Sequence, residues 1–222
     1  MSMKRLENKV ILITGSVTGI GKAIAKRCVA EGAKVVIHGL EADLGQETLA
    51  ELGEGNAVLV LKDLAEEDAP QLLVEKAVSA FGKLDAVVNN AAQVGLGNIH
   101  DTDAKWFRRM LEINCVVPYL LIRAALPYLS AAHGSVINIG SVNAWSGEPN
   151  LMPYSGSKGA LMTLTRNLGD TLMREDGVRV NQINPGWVLT ENEAKRKRSH
   201  GLKDDGYAAL LKVYARAGRI LW

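Results

Sequence analysis

A tyrosine and a lysine stand four residues apart in the segment Tyr-Ser-Gly-Ser-Lys, which runs from Tyr154 to Lys158. In a helix, residues at i and i+4 lie on one face, so the phenol and the ammonium would be neighbours. A free phenol has a pKa of about 10, and a nearby positive charge lowers that pKa because it favours the phenolate. The pair is therefore a candidate general acid and base. The spacing is common by itself, and a surface tyrosine beside a solvated lysine is the alternative.

A glycine-rich motif, Thr-Gly-Ser-Val-Thr-Gly-Ile-Gly, occupies residues 14–21. It follows a short apolar segment and opens a predicted helix. Glycines permit a tight turn, and the N–H groups at a helix start face an anion, so the motif predicts a dinucleotide phosphate site. Three residues separate Gly15 from Gly19, which differs from the Gly-x-Gly-x-x-Gly form. The alternative is a loop whose glycines only let the strand and the helix pack closely.

The whole chain alternates short Val/Ile/Leu segments with longer helical periods. Apolar segments of this length are typical of strands buried on both faces of a parallel sheet. The predicted strands are residues 10–13, 35–37, 57–61, 84–88, 136–139 and 178–183. The predicted helices are residues 21–31, 44–52, 70–81, 103–129 and 153–175. This alternation predicts a single α/β domain over residues 1–222, a Rossmann-like doubly wound parallel sheet of about six strands with helices on both faces.

Polar residues follow several of the predicted strands. Asp63, Asn90, Ser141 and the segment Asn-Pro-Gly at residues 184–186 each come just after a strand. Ligands of open α/β sheets bind outside the carboxyl ends of the strands. We therefore expect these groups to line one rim of the sheet.

In the order and spacing of these motifs, residues 6 to about 190 resemble the classical short-chain dehydrogenase/reductase family. The resemblance rests on Thr14-Gly15-x-x-x-Gly19-Ile20-Gly21, Asn89-Asn90-Ala91, Asn114, Ser141, Tyr154-x-x-x-Lys158 and Pro185-Gly186. It implies an NAD(P)-dependent oxidoreductase that transfers a hydride between the cofactor and a carbonyl or secondary alcohol. The alternative is a scaffold or a binding protein that holds NAD(P) without catalysis.

The resemblance also implies catalytic roles. Tyr154 would be the acid and base, Lys158 would lower its pKa and hold the nicotinamide ribose, and Ser141 would hydrogen-bond the substrate oxygen. Asn114 would hold a water that links Lys158 to solvent as a proton relay. An asparagine within a helix can also merely cap a bend near Pro118, where the missing backbone donor is expected to bend the predicted fourth helix.

The cofactor contacts are implied by the same resemblance. Asp63 and the backbone of Leu64 would hold the adenine, and Asn90 would flank the adenosine ribose. The complete set of expected cofactor-binding residues is Gly15, Ser16, Thr18, Gly19, Ile20, Gly21, Asp63, Leu64, Asn90, Ala91, Tyr154, Lys158, Pro185, Gly186, Val188 and Thr190.

The end of the second predicted strand normally indicates whether NAD or NADP binds, because an acidic residue there holds the ribose 2′-hydroxyl and a basic residue nearby holds a 2′-phosphate. Here Gly39 stands at the acidic position and Leu40 at the basic one. Glu41 could reach the ribose, whereas His38 could accompany a phosphate. Because the run lacks a clear cation, the sequence favours NAD slightly over NADP.

The loops after the fifth and sixth predicted strands are expected to shape the substrate pocket. The expected substrate contacts are Ser141, Asn143, Tyr154 and Trp187, and further pocket candidates are Val94, Ala144 and Trp145. The indole rings could stack on a sugar face or only shield the core. We expect a sugar, a polyol or a 3-oxo compound as the small-molecule substrate.

Composition excludes other kinds of partner. The 222 residues carry a net charge of +2 and are 47% hydrophobic, so no global field attracts nucleic acid or an anionic membrane. No apolar run approaches the roughly 20 residues of a membrane span. Cys28 and Cys115 lack a Cys-x-x-Cys neighbour and a histidine at metal-ligand spacing, which predicts free buried thiols, no metal site and a reducing, cytoplasmic setting. A disulfide between the two cysteines is the alternative.

The charged tail at residues 190–222 is interpreted as a mobile lid over the site. Its basic run at residues 195–198 would be a solvated face of that lid, and an anionic partner or a nuclear signal is the alternative. The chain stops before the further helix and seventh strand that are usual in the family, so the resemblance implies a missing C-terminal segment and a bare edge at strand 178–183. We expect a homotetramer or a homodimer built through the fourth and fifth predicted helices.

Overall fold

A six-stranded parallel sheet forms the centre of the structure, a computed structural model that describes residues 4–188 and residue 190. Its strands are β1 (Val10–Ile13), β2 (Lys34–Gly39), β3 (Ala57–Leu61), β4 (Ala86–Asn89), β5 (Ser135–Ile139) and β6 (Arg179–Ile183). They lie in the order β3-β2-β1-β4-β5-β6, and every pairing is parallel. The predicted doubly wound α/β fold is confirmed. The strand order reverses between β1 and β4, which is where such sheets bind ligands.

Helices connect the strands. They are α1 (Gly19–Ala30), α2 (Ala42–Leu52), α3 (Ala69–Phe81), α4 (Ala104–Leu111), α5 (Val117–Ala131), the short α6 (Asn143–Ser146) and α7 (Met152–Glu175). A π-helical segment, Glu112–Val116, joins α4 to α5. The predicted helices agree with these elements, except that the predicted fourth helix is divided.

Two apolar clusters cover the two faces of the sheet. Successive side chains of a strand point to opposite faces, and β1 accordingly sends Val10 and Leu12 into one cluster and Ile11 and Ile13 into the other. All four residues of β1 are buried, because helices pack on both sides. This burial on both faces explains why the strands are apolar runs without alternation.

The predicted fourth helix contains a change of helical register. Asp103 caps the start of α4 by accepting a hydrogen bond from the backbone N–H of Trp106 at 2.7 Å. The π-helical segment then carries Asn114, and Pro118 lies in the first turn of α5. Proline lacks the backbone donor that an α-helix interior requires, so it is tolerated where a new helix begins. The expected disturbance near Pro118 is therefore a π-helical insertion, which often marks a functional site.

The helical run Ala104–Ala131 has 28 residues and a mean hydropathy of 1.4 in its most apolar window, so by length and composition it meets the criterion for a membrane span. The expectation that no apolar run approaches that length is wrong for this run. Core helices of globular domains meet the same criterion, and Leu121, Ala125 and Leu129 are fully buried beside the sheet. Packing against the sheet accounts for the apolar composition.

Strand β6 pairs with β5 and forms one edge of the sheet in the part of the chain that the structure describes. The predicted strand 178–183 begins one residue earlier than β6, at Val178, which is fully buried. The predicted lid at residues 190–222, with its basic run, lies outside the described residues except for Thr190.

Candidate active site

The glycine motif forms a tight loop between β1 and α1. Gly15 and Gly19 have φ angles of +59° and +53°, a region that side chains disfavour. A Cβ atom at Gly15 would lie 2.9 Å from the Cα of Ala91, and one at Gly21 would lie 2.3 Å from the carbonyl oxygen of Gly15. Gly15 and Gly19 therefore shape the turn, and Gly21 lets α1 pack closely on it; the phosphate site stays a prediction.

Buried polar contacts fix this loop to the end of β2. The backbone N–H of Ser16 donates to the carbonyl of His38 at 2.7 Å, and the hydroxyl of Ser16 accepts from the N–H of His38 at 2.9 Å and donates to the carbonyl of Ile13 at 2.6 Å. Ser16 is fully buried. Its side chain thus shapes the loop and does not line the cleft described below.

His38 is a structural residue of the same loop. Its Nδ1 accepts the backbone N–H of Gly15 at 3.1 Å, so Nε2 carries the ring proton and donates to the carbonyl of Lys62 at 2.8 Å. Burial lowers the pKa of His38 below its ordinary value. A neutral imidazole with both nitrogens engaged cannot hold a phosphate, which corrects the suggestion that His38 accompanies one. Its position among buried Val and Ile residues was the signal for this role.

Thr14 and Asn90 join the glycine loop to the loop after β4. The hydroxyl oxygen of Thr14 accepts the backbone N–H groups of Asn90 and Ala91, each at 3.0 Å. The side-chain amide of Asn90 donates to the carbonyls of Thr14 and Gly15, each at 2.9 Å. Thr14 was not among the expected site residues, although it is the first residue of the glycine motif. The two loops consequently form one rigid cradle.

A cleft of about 330 Å³ opens on this cradle. Of the expected cofactor-binding residues, it is lined by Gly15, Thr18, Gly19, Ile20, Asp63, Leu64, Asn90, Ala91 and Thr190. Gly21 and Ser16 lie behind the lining. Glu41 and Leu40 border the same cleft at the end of β2. A Cβ atom at Gly39 would lie 2.4 Å from a methyl carbon of Val17, so the glycine at the usual acidic position is required by packing.

Arg109 of α4 also lines this cleft and was missed by the sequence analysis. Its guanidinium donates to both carboxylate oxygens of Asp63, at 3.2 and 3.1 Å. The backbone N–H of Ala65 also donates to Asp63 at 2.9 Å, and this bond and Arg109 hold the pKa of the carboxyl below its ordinary value. Asp63 is therefore a fixed anionic acceptor in the cleft.

A second cavity, of about 240 Å³, adjoins the first, since Ile20, Asn90 and Ala92 line both. It brings together Ser141, Tyr154 and Lys158. Another part of its lining comes from expected cofactor and substrate contacts that follow β6, namely Pro185, Gly186, Trp187 and Val188. Residues from β5, α7 and the chain after β6 thus meet at one rim of the sheet.

Tyr154 lies in the first turn of α7 and faces this cavity. Burial raises the pKa of its phenol, and a hydrogen bond with Ser141 acts in the opposite direction. The ammonium of Lys158 lies 5.9 Å from the centre of the Tyr154 ring. The hydroxyl of Ser141 in turn accepts the backbone N–H of Asn143 at 3.1 Å, which fixes its orientation.

Lys158 is buried, and its Nζ donates to the carbonyl of Ile139 at 2.7 Å. Desolvation lowers the pKa of Lys158 to about 8, because burial penalises the charged ammonium. The half-buried thiol of Cys115 lies close enough to interact with it electrostatically, and burial raises the pKa of that thiol. Cys28 and Cys115 are both free thiols.

Asn114 connects three segments around the site. Its side-chain oxygen accepts the N–H of Gln93 at 2.8 Å, and its amide nitrogen donates to the carbonyl of Gln93 and to the hydroxyl of Ser157, each at 2.9 Å. Ser157 donates in turn to the carbonyl of Tyr154 at 2.7 Å. The side chain of Asn114 therefore fixes the loop after β4 to α7. The water relay through Asn114 stays a prediction.

Asn143 is placed differently from the other expected substrate contacts. Its side-chain amide donates to the carboxylate of Glu148 at 3.3 Å, and the residue does not line the cavity that contains Ser141 and Tyr154. Trp187 does line that cavity. Within the described ranges, no group of three or more His, Cys, Asp and Glu side chains could hold a metal ion.

A Rossmann-like sheet with a glycine cradle and a Ser-Tyr-Lys cavity at its switch point defines a nicotinamide-dependent oxidoreductase site. A family model described as short chain dehydrogenase matches residues 9–201. The chain belongs to this family.

Known relatives agree with that assignment. The chain is 37% identical over 189 residues to 2-(S)-hydroxypropyl-CoM dehydrogenase 3 of Xanthobacter autotrophicus, a match that covers 84% of this chain and 74% of the relative. It is 37% identical over 190 residues to L-fucose dehydrogenase of Mus musculus, covering 85% of this chain and 68% of the relative. The structure of L-sorbose reductase from Gluconobacter frateurii, complexed with NADPH and L-sorbose, superposes with a TM-score of 0.91 and 29% identity over 99% of this chain and 86% of that one.

Proposed function

We propose that the protein interconverts a carbonyl and a secondary alcohol of a sugar, a polyol or a 3-oxo compound, with Tyr154 as the acid and base. The observation that carries this proposal is the convergence of Ser141, Tyr154 and Lys158 in a cavity that adjoins the glycine-lined cleft. The cleft residues fit a dinucleotide, because Gly15 and Gly19 leave the backbone open to a phosphate. A bound nicotinamide cofactor would donate a hydride to the carbonyl carbon or accept one from the alcohol carbon.

Proton transfer is the part of the chemistry assigned to this chain's side chains. In reduction, the phenol of Tyr154 gives its proton to the carbonyl oxygen, and Ser141 donates a hydrogen bond to that oxygen as it gains negative charge. Preorganised donors of this kind typically contribute about 3–4 kcal/mol each. In oxidation, the phenolate takes the hydroxyl proton. Burial opposes that phenolate by raising the pKa of Tyr154, so we assign the Lys158 ammonium, 5.9 Å from the ring centre, and the positive charge of a bound oxidised nicotinamide to favour it.

The proton of Tyr154 must be replaced after each reduction, and Asn114 supports a route. Pro118 has no N–H to donate to the carbonyl four residues earlier, which is that of Asn114. Since the side chain of Asn114 is engaged with Gln93 and Ser157, its backbone carbonyl is the group we assign to hold the relay water beside Lys158.

The substrate class rests on the relatives and on Trp187. The relatives include dehydrogenases of L-fucose and of a hydroxypropyl compound and a reductase of L-sorbose. Each of these substrates is a small polar molecule that carries a hydroxyl or a carbonyl group. In this chain, Trp187 lines the cavity together with Lys158, the charged residue among the described residues of its lining. An indole beside a polar rim suits the apolar face of a sugar.

For the cofactor, we propose NAD rather than NADP. Glu41 borders the cleft near the end of β2, where a carboxylate can accept ribose hydroxyls and repels a 2′-phosphate. Arg109 is the cation among the cleft's described lining residues, and it is paired with Asp63. The structure of L-sorbose reductase contains NADPH, so NADP is the competing cofactor. A preference of this protein for NADP would overturn the proposal.

The setting of the enzyme is proposed from its composition. A net charge of +2 gives no reason for a nucleic-acid or membrane partner. The two free thiols are in keeping with a reducing, cytoplasmic location.

Oxidation of a panel of sugars, polyols and hydroxy acids, followed by reduced-nicotinamide absorbance with NAD and NADP separately, tests the proposal. We expect turnover of at least one panel member with NAD, and none with Tyr154→Phe, which keeps the ring but removes the exchangeable proton. Calorimetry should show that Tyr154→Phe binds the cofactor nearly as well as the unchanged protein.

Full activity of Tyr154→Phe would remove Tyr154 from the mechanism. Cofactor binding without turnover of any panel member would instead favour the alternative function, a non-catalytic NAD(P)-binding or scaffold protein.

A further inference from the structure

A row of hydrogen-bonded polar side chains crosses the interior of the sheet beneath the active site. The amide nitrogen of Asn89 on β4 donates to the side-chain oxygen of Asn138 on β5 at 2.8 Å, and the amide nitrogen of Asn138 donates to the hydroxyl of Thr165 on α7 at 2.9 Å. Asn89, Asn138 and Thr165 are all buried. Buried polar groups of this kind are retained only where they are hydrogen-bonded.

The row continues to the residue that holds the substrate oxygen in the proposed reaction. The hydroxyl of Thr165 lies 3.0 Å from the side-chain oxygen of Gln182 on β6, and the amide nitrogen of Gln182 donates to the side-chain oxygen of Asn184 at 2.6 Å. That same oxygen of Asn184 accepts the backbone N–H of Ser141 at 3.2 Å. Ser141 is thereby tied to the sheet interior through two carboxamides.

The direction of these hydrogen bonds is fixed by the backbone of Ser141. A backbone N–H can only donate, so Asn184 must present its oxygen to Ser141. The amide of Gln182 must then present its nitrogen to Asn184 and its oxygen to Thr165. Thr165 shares its single proton between Gln182 and the carbonyl of Leu161, which is 2.7 Å away. One arrangement of the carboxamides therefore satisfies the whole row.

Gly140 provides the space that this arrangement needs. A Cβ atom at position 140 would lie 2.2 Å from the side-chain oxygen of Asn184 and 2.3 Å from the amide nitrogen of Gln182. Its φ angle is not in the left-handed region, so the backbone itself does not require glycine. Gly140 directly precedes Ser141 in the chain. The space that its missing side chain leaves is filled by the long side chain of Gln182.

We propose that Gln182 and Asn184 are positioning residues that hold the backbone of Ser141 in place, with Gly140 leaving room for their carboxamides. The inference rests on the proposed function, in which the hydroxyl of Ser141 binds the substrate oxygen. Neither residue lines the cavity that contains Tyr154 and Lys158, so they act through Ser141 rather than on the substrate. They fix the position of the Ser141 hydroxyl, which must stabilise the negative charge that develops on the substrate oxygen. Small displacements of such a donor lower the rate of the chemical step.

The first test is Gln182→Met, which keeps the length of the side chain and removes its hydrogen bonds. We expect kcat to fall about tenfold, the effect of a 1.4 kcal/mol change in the barrier, with little change in the KM for cofactor. Gln71→Met is the matched control, because Gln71 is an exposed residue of α3 whose amide donates to Glu75 in its own helix. An unchanged kcat in Gln182→Met would overturn the role of Gln182.

Hydrogen exchange at the Ser141 amide tests the contact without any substrate. Asn184→Leu removes the acceptor, and we expect the Ser141 N–H, measured in overlapping peptides, to exchange at least about tenfold faster because its hydrogen bond is lost. Asn184→Asp keeps an acceptor for both Ser141 and Gln182, so protection should be largely restored. Equal exchange in Asn184→Leu and the unchanged protein would overturn the role of Asn184.

A double-mutant cycle tests the shape complementarity. Gly140→Ala should lower kcat and speed exchange at Ser141, because the added methyl group displaces both the side-chain oxygen of Asn184 and the amide of Gln182. In the Gly140→Ala, Gln182→Ala double variant that amide is absent, so the added methyl group should cause a smaller further loss than it does alone. Multiplicative losses in the double variant would overturn the coupling of positions 140 and 182.

The exchange measurements also separate the two proposals. If no panel substrate is turned over but Ser141 loses protection in Asn184→Leu, the proposed function fails and the positioning of Ser141 stands. If substrates are turned over and neither kcat nor exchange responds to the changes at 182 and 184, the proposed function stands and this inference fails.

Discussion

At the scale of a single residue, burial of the Lys158 ammonium lowers the stability of the folded protein. Its ammonium is buried with the carbonyl of Ile139 as its hydrogen-bond acceptor, and its pKa is lowered to about 8 from an ordinary value of 10.5. A lowered pKa means that the folded protein disfavours the charged form. Folding is therefore penalised in full below the folded-state pKa, and the penalty disappears as the pH rises above the unfolded-state pKa.

Lys158→Met should therefore stabilise the protein at neutral pH while it abolishes turnover. The pKa difference corresponds to about 3 kcal/mol, and loss of the bond to Ile139 returns about 1 kcal/mol, so the net gain should be about 2 kcal/mol. Urea unfolding of both proteins at pH 7 and near pH 10.5 measures it. The gain should vanish at the higher pH, and an equal difference at both pH values would contradict the assignment of the penalty to charge burial.

At the scale of elements, the glycine loop and the π-helical segment position the site. The loop depends on left-handed glycines, on Thr14 and on the neutral His38, each of which bonds to a neighbouring strand or loop. The π-helical segment places Asn114 where its amide reaches both Gln93 and Ser157. Each element is irregular, and each is secured by partners that are distant in the sequence.

Gly15→Ala and Gly55→Ala form a matched pair that separates backbone strain from the close approach of two loops. Both glycines have positive φ angles, +59° and +72°, but a Cβ at Gly55 would meet no atom within 4 Å. Gly55→Ala should cost only the strain, about 1–2 kcal/mol. Gly15→Ala should cost more, because its methyl group collides with Ala91, and it should also weaken cofactor binding at least about tenfold. Thermal unfolding and calorimetry measure both effects.

Equal stability losses at Gly15 and Gly55 would show that the contact with Ala91 is relaxed by movement of the loop. Unchanged cofactor binding in Gly15→Ala would show that the loop does not approach the phosphates.

The elements themselves were largely predictable from the sequence. The apolar runs and helical periods predicted the sheet and its helices, because burial on both faces leaves a pattern within each segment. The division of the helical run at Glu112–Val116 was not predictable beyond a disturbance near Pro118. Whether a missing donor produces a bend or a π-helical turn is decided by packing against α7 and the loop after β4.

At the scale of the whole molecule, apolar side chains remain exposed at the end of the π-helical segment, on α5 and on α7. Val116, Tyr119 and Met173 expose 38%, 40% and 53% of their surface. These residues belong to the helices through which a homodimer or homotetramer is expected. Association would remove their apolar surface from water.

Sedimentation of the purified protein should accordingly show a dimer or tetramer, and Tyr119→Glu should shift it toward the monomer by placing a charge in an apolar contact. Gln71→Glu is the control, because it makes the same change of charge, from neutral to −1, at an exposed residue of α3, outside the two helices of the expected interface. A monomeric unchanged protein would contradict the expected assembly, and an oligomer insensitive to Tyr119→Glu would place its interface elsewhere.

The sequence by itself determined the class of fold, the family, and the rim of the sheet at which Ser141, Tyr154 and Lys158 meet, because local patterns and strand ends carry that information. Tertiary structure alone decided that His38 is a neutral structural residue, that Arg109 pairs with Asp63, and that Gln182 and Asn184 reach Ser141. The physical reason is that hydrogen bonds between segments far apart in the chain depend on which strands become neighbours and on the space left between them, as at Gly140.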